Sequence, residues 1–175
     1  MGWMIFDQRT RELDFLLATG KALFLCQHFE STCKEIVTWF CVTKALIDKK
    51  FGLLSDEHKD YVDKLMHLFL DKSIRKLKDI PKIASKEEID ILREAKESRN
   101  FICHECLIDL IYAPYPYANP QMNINLFKQH IVKVARGDYI VSRWSYEFHE
   151  KDSGALKNKE GYVSALEEWV FPKTK

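Results

Sequence analysis

The residues best suited to chemistry stand together at Arg99-Asn100-Phe101-Ile102-Cys103-His104. An always-charged guanidinium precedes an imidazole by five positions, and Asn100 and His104, four apart, share one side of any helix that carries them. These types suit RNA cleavage. An imidazole takes the proton of a ribose 2′-hydroxyl near neutral pH, a guanidinium holds the phosphate and the charge that grows on it, and a carboxamide orients either group. The structural alternative is an Arg paired with a carboxylate and a His that is only hydrogen-bonded.

Other constellations are weaker. Cys103-His-Glu-Cys106 has the spacing of one zinc-binding arm, with Cys26, His28 and Cys33 as the only conceivable second arm. No second C-x2-C exists, and a helix puts both Cys103 and Cys106 on its core stripe, so buried reduced cysteine is the better reading and no metal or cofactor is expected. Lys72, Arg75, Lys76, Lys78, Lys82 and Lys86, against Asp79 alone, form a basic segment that suits a phosphate backbone or a solvated helix end. Trp144, Tyr146 and Phe148 alternate as packed strand residues do. The phosphate-binding, nucleophile-elbow, zinc-protease and dinucleotide motifs are absent.

The element that must position Arg99 and His104 is a helix opened by the capping box Ser85-x-x-Glu88 and running without a breaker to about Tyr112. Leu92, Ala95, Ile102, Cys103, Cys106 and Leu110 share its core face, with Arg99 in their midst, where it requires a partner or an opening. Phe101, His104, Ile108 and Ile111 lie on a second face with Asn100, while Glu94, Ser98, Glu105 and Asp109 fall on the solvated remainder. A helix apolar on two faces needs two neighbours, one of them a second copy of the chain across a two-fold axis.

Around it, Leu13 to Phe24 and a segment opened by Thr32-x-x-Glu35 read as two amphipathic helices, the second ending near Phe51-Gly52. Ser55 caps a third, with Val62, Leu65, Met66, Phe69 and Leu77 inward, ended by Pro81. Pro114, Pro116 and Pro120 make the Tyr112–Pro120 stretch a loop. Leu126, Ile131 and Val134 mark a fifth helix ending near Gly137, and Tyr139–Phe148 has the composition of a strand. Residues 151–161 read as a polar turn, and Tyr162–Val170 as a short helix or the return arm of a hairpin.

The expected class is therefore all-α: one domain over residues 1–175, with an up-and-down bundle over about 10–135 and a strand or hairpin appendage over about 137–175. The 175 residues, 46% hydrophobic and 30% charged, suffice for one sizeable core and exclude a disordered tail. A net charge of +1 excludes a bulk basic nucleic-acid coat, so any nucleic-acid site is local. Five cysteines, no signal pattern and no apolar run of membrane length place the expectation at a cytoplasmic protein with reduced thiols and no membrane partner.

The run Arg99 to His104, late in a long helix of a helical chain, resembles the Arg-x(4–6)-His signature of the HEPN superfamily, in which a polar residue such as Asn100 commonly follows the Arg. The resemblance spans about residues 10–135. It implies a small helical bundle, a homodimer that brings two Arg/His sets together, and metal-independent endoribonuclease activity of the toxin or phage- and plasmid-defence kind. Carried over by position, Arg99, Asn100 and His104 are its active-site residues and RNA its substrate, with a cognate antitoxin or inhibitor protein as a further partner. One toxin branch has a modifiable Tyr two residues after the His; here Cys106 stands there, which argues for a self-standing or differently inhibited nuclease. The family often adds an acidic residue on an earlier helix, for which Glu30 and Glu35 both qualify. The rival reading is a non-catalytic module of the same fold that binds nucleic acid or protein and uses Arg99 and His104 structurally.

Overall fold

The computed structural model describes residues 9–80, 84–105, 120–150 and 156–172, with side chains described from residue 16 in the first of these segments and from 124 in the third. Six helices make up this part: α1 (Arg9–Ile47), α2 (Asp56–Met66), α3 (Leu70–Lys78), α4 (Lys86–His104), α5 (Pro120–His149) and α6 (Lys159–Val170). Among the described residues there is no strand, and no helix is long and apolar enough to cross a membrane.

Where two helices were expected, α1 is one helix of 39 residues, about 58 Å long at 1.5 Å per residue. The apparent capping box inside it is not used. The Thr32 hydroxyl donates back to the His28 carbonyl at 2.9 Å, as a mid-helix Thr does, and Glu35 turns to His149. Ala18, Ala22, Leu25, Cys26, Phe29, Cys33, Ile36 and Val37 form its buried stripe, stepping by three and four. The helix stops at Ile47, ahead of the expected Phe51-Gly52, because Lys49 takes a left-handed φ of 53° and lets the Lys50 N–H close onto the Ala45 carbonyl.

The third expected helix is two. Ser55 caps α2 as expected, accepting from the His58 N–H, but the chain breaks at His67–Phe69 before α3 begins. The break re-phases the apolar side: Leu65 is buried on α2, and Leu70, Ile74 and Leu77 on α3, whereas a continuous helix would put Leu65 and Leu70 about 140° apart. Met66 and Phe69, expected inward, are exposed, Phe69 at 75%.

The capping box of α4 is present in full: Ser85 accepts from the Glu88 N–H at 3.1 Å, and Glu88 accepts from the Ser85 N–H at 2.8 Å. The same Glu88 carboxylate pairs with Arg143 on α5, so the cap also docks the two helices. Residues 106–112, the far end of the expected helix, and the Tyr112–Asn119 stretch lie outside the described residues.

The expected strand over Tyr139–Phe148 is helical, and α5 runs straight through Gly137. Residues 137–141 are all buried, so the helix is enclosed on every side there, and a fully enclosed helix is apolar all round. The β-branched and aromatic composition reflects that enclosure. Trp144 is buried and Tyr146 and Phe148 are partly exposed, so the alternation carries no common face. Gly137 is required by packing: a Cβ there would lie 2.4 Å from the Ala95 Cβ of α4 and 3.1 Å from the Phe29 ring of α1. α1, α4 and α5 are in close contact at this level. Of the two readings of the tail, the helix holds. Asn158 caps α6 by accepting from the Gly161 N–H, and Val163 and Val170 close onto the core.

Candidate functional site

Arg99 projects from α4 toward α1 and finds the partner that its place on the core stripe demands. Its Nη2 donates to Glu30 Oε2 at 2.5 Å, and its Nη1 donates to the side-chain oxygen of its neighbour Asn100 at 3.2 Å. Glu30 is shared: Lys34, one turn on, reaches its other oxygen at 2.8 Å. All three charged side chains are three-quarters buried or more. Burial alone would raise the Glu30 pKa, but the Lys34 hydrogen bond and the positive charges of Arg99 and Lys34 outweigh it and hold the carboxyl below its ordinary value. Of the two acidic candidates, Glu30 is thus the one that meets Arg99. Glu35 faces His149 instead, at 3.3 Å.

His104 is the last residue of α4 and is exposed. Cys103, between it and Arg99, feels both charges. The Cys26 thiol of α1 donates to the Cys103 sulfur, and this contact, against the opposing effect of burial and with help from the positive charges of Arg99 and His104, brings the Cys103 pKa down to about 6. Sequence reasoning treated both thiols as inert packing. The overlooked signal was an Arg four residues before and a His one residue after Cys103, the electropositive setting that favours a thiolate.

Phe101, assigned to the second face of α4, packs within the chain: it stacks on His130 of α5 with ring centroids 4.0 Å apart and planes 18° from parallel. Of that face, then, Phe101 is covered by α5 and His104 is exposed, while Ile108 and Ile111, which complete it, lie outside the described residues. His130 has a pKa lowered first by burial and then by Lys133, which keeps the imidazole neutral near pH 7. No sequence signal linked it to Phe101, since it arrives on another helix. Ser98, expected in solvent, is buried beside Ala95 on the core side.

The basic segment is divided. Lys72, Arg75 and Lys78 are exposed on α3 and Lys76 is partly so, while Lys82 lies outside the described residues. Arg75 is engaged by Asp71 at 2.7 Å, and Asp71 also takes Lys96 of α4 at 3.1 Å, which ties α3 to α4 one turn before Arg99. The zinc arm is not assembled among the described residues, where no three His, Cys, Asp or Glu side chains converge as a metal site, and Cys106 is not among them.

A second polar cluster lies on the other side of α1. Asp138 of α5, 1% exposed, accepts from the Tyr162 hydroxyl of α6 at 2.5 Å and meets His28 Nδ1 at 2.8 Å. The hydrogen bond that His28 donates to Asp138 is the main reason that the His28 pKa is raised; burial opposes it, and the negative charges of Asp138 and Glu35 add to it. The same carboxylate, after burial, pushes the Tyr162 hydroxyl well above its ordinary value.

No family model matches the chain, and neither a curated protein nor a solved structure matches it.

Proposed function

We propose that the chain is a metal-independent endoribonuclease of the HEPN type, a toxin or defence nuclease, working as a homodimer in the cytoplasm with Arg99, Asn100 and His104 as its reacting set. The observation that supports it best is the setting of Arg99: oriented by Asn100 and Glu30 on its inner side, and placed on the same helix as an exposed His104. His104 takes the proton of a ribose 2′-hydroxyl; the 2′-oxygen attacks the adjacent phosphorus, and the 5′-oxygen leaves, giving a cyclic phosphate and a 5′-hydroxyl. Arg99 neutralises the charge gathering on the phosphate. Lys34 matters to this step, because it stays on Glu30 when the guanidinium turns to phosphate and leaves no buried carboxylate uncompensated. The exposed Lys72, Arg75 and Lys78 of α3, tied to α4 through Asp71 and Lys96, would track the flanking phosphates.

One observation favours the second reading, a non-catalytic binding module: Arg99 already has a carboxylate partner, as a structural Arg does. Parallel melts and RNA cleavage on the same samples separate the two. His104→Ala should lower cleavage roughly 10²–10⁴-fold with an unchanged melt. Arg99→Ala should do the same at a cost of about 1–3 kcal/mol in stability, the worth of a hydrogen bond to a charged group, since Lys34 remains on Glu30. DNA, lacking the 2′-oxygen, should stay intact, and light scattering should give a dimer. Variants that melt lower yet cut at the wild-type rate per folded molecule, or a wild-type dimer that cuts no RNA, would make the binding module the better reading.

A further inference from the structure

We propose that Cys26 and Cys103 form a redox modification site, a thiol pair that a hydroperoxide converts into a disulfide joining α1 to α4. The inference stands on the register of the two helices and is independent of the nuclease reading. Glu30 meets Arg99, and one turn away on both helices Cys26 meets Cys103, in the order that antiparallel neighbours require. Small side chains buried on the facing parts of the two helices, Cys26 and Cys33 on α1 and Ala95 and Ser98 on α4, suit a close approach. The Cys26 and Cys103 thiols already meet across it, the juxtaposition that a disulfide requires.

The two sulfurs have the division of labour that peroxide chemistry needs. Cys103 is partly exposed, and the hydrogen bond that it accepts from Cys26, together with the positive charge of Arg99, outweighs burial and brings its pKa down to about 6, which favours the nucleophilic thiolate. Cys26 is 1% exposed and meets oxidant only through its neighbour. The Cys103 thiolate attacks one peroxide oxygen; an S–O bond forms, the O–O bond breaks, and the departing hydroxide takes a proton to become water, leaving Cys103 as a sulfenic acid. The Cys26 sulfur then attacks Cys103; the S–S bond forms, the S–O bond breaks, and the hydroxyl leaves as water with the Cys26 proton. Two thiols and one hydrogen peroxide give one disulfide and two waters; with an organic hydroperoxide one of the waters is the corresponding alcohol. Cys33 is excluded as the resolving thiol. It stands about two turns from Cys26 along α1, beyond the Glu30–Arg99 contact as seen from Cys103, and burial first, then the negative charges of Asp138 and Glu30, push its pKa far up.

The experiment uses the reduced full chain, treated with hydrogen peroxide near stoichiometric amounts, alkylated, and analysed by intact mass and non-reducing peptide mapping. The expected product has lost two hydrogens and carries a Cys26–Cys103 link within one chain, reversed by dithiothreitol. Cys26→Ser should instead accumulate a sulfenic acid on Cys103 that dimedone traps, and Cys103→Ser should lose the link and slow the peroxide-dependent loss of thiols at least about tenfold. Cys26→Ala repeats the first arm if the buried serine hydroxyl prevents folding. A link to Cys33, Cys41 or Cys106, a link between chains, oxidation of Cys103 to the sulfinic state with no link in the wild-type chain, or a Cys26 variant that still forms the same amount of disulfide would each overturn the proposal.

Discussion

The close approach of α4 to α5 at Gly137 yields a quantitative prediction. In Gly137→Ala the new methyl group would sit 2.4 Å from the Ala95 Cβ, about 1.0 Å inside the 3.4 Å at which ordinary contact begins, and 3.1 Å and 3.3 Å from two atoms of the Phe29 ring. The Phe29 ring can tilt by a few tenths of an ångström. The Ala95 Cβ has no torsion to turn, so α4 and α5 must part by about 1 Å along a seam that also holds Leu92 and Val134, both 0% exposed. A gap of that size forfeits about a quarter to a half of each dispersion contact along it. Overpacking of this kind costs about 1–3 kcal/mol, against the roughly 1 kcal/mol that Ala gains over Gly in a helix interior, so the net loss should be up to about 2 kcal/mol. For a chain of this size that lowers Tm by up to about 4–8 °C.

Urea denaturation followed by far-ultraviolet circular dichroism measures the loss, and a double-mutant cycle assigns its cause. Ala95→Gly alone removes a buried methyl and a good helix former. Combined with Gly137→Ala it merely moves the methyl from α4 to α5, so the pair should recover more than half of the summed losses, a coupling of about 1–2 kcal/mol. A cycle additive to within about 0.5 kcal/mol would refute the close crossing of α4 and α5.

Two further predictions test single elements. Because the His28 pKa is raised in the fold, its pairing with Asp138 contributes fully below the ordinary histidine value of about 6.5 and fades as the pH rises through the higher folded value; the stability gap between wild type and His28→Gln should be widest near pH 5 and shrink toward pH 8, and a gap that widens with pH would contradict the assignment. Lys49→Gly should raise stability by about 0.5–1 kcal/mol in urea titrations, because the left-handed φ of 53° that ends α1 strains any residue with a Cβ; a destabilised variant would show that the lysine side chain contributes more than its backbone costs.

Local chemistry was legible in the sequence wherever one or two side chains complete it. The Ser85 box, the Ser55 cap and the need of Arg99 for a carboxylate were all readable because each depends on residues a few positions apart or on one helix phase. What was misread depends on what packs around a segment. Thr32-x-x-Glu35 has the letters of a cap, and only the continuation of α1 on its N-terminal side turns Thr32 into a mid-helix back-bonder. Ile140 and Val141 suggest a strand until α1, α4 and α6 surround them, when the same residues become the inside of a helix. The break at His67–Phe69 carries no Gly or Pro because its cause is the phase of Leu65 against Leu70, set by which stripe each segment presents to α1. Glu30 and Glu35 were equivalent for the same reason: nothing local says which side of α1 faces α4.

Three consecutive residues of α1 explain why that facing is unambiguous once the chain folds. His28, Phe29 and Glu30, each about 100° further around the helix, reach Asp138 of α5, the Gly137–Ala95 crossing, and Arg99 of α4 respectively. Rotating α1 by one residue position in either direction would drive a charged or titratable side chain into the slot that the Phe29 ring fills, and would take Glu30 from Arg99 and His28 from Asp138. Losing a hydrogen bond to a charged group costs about 1–3 kcal/mol, an appreciable share of the roughly 5–15 kcal/mol that stabilises an ordinary domain. Apolar packing along the buried stripe of α1 is non-directional and tolerates small rotations. The two polar contacts flanking Phe29 do not, and by fixing the rotation of α1 they also fix which residues oppose one another one turn away, so that Cys26 faces Cys103 wherever Glu30 faces Arg99.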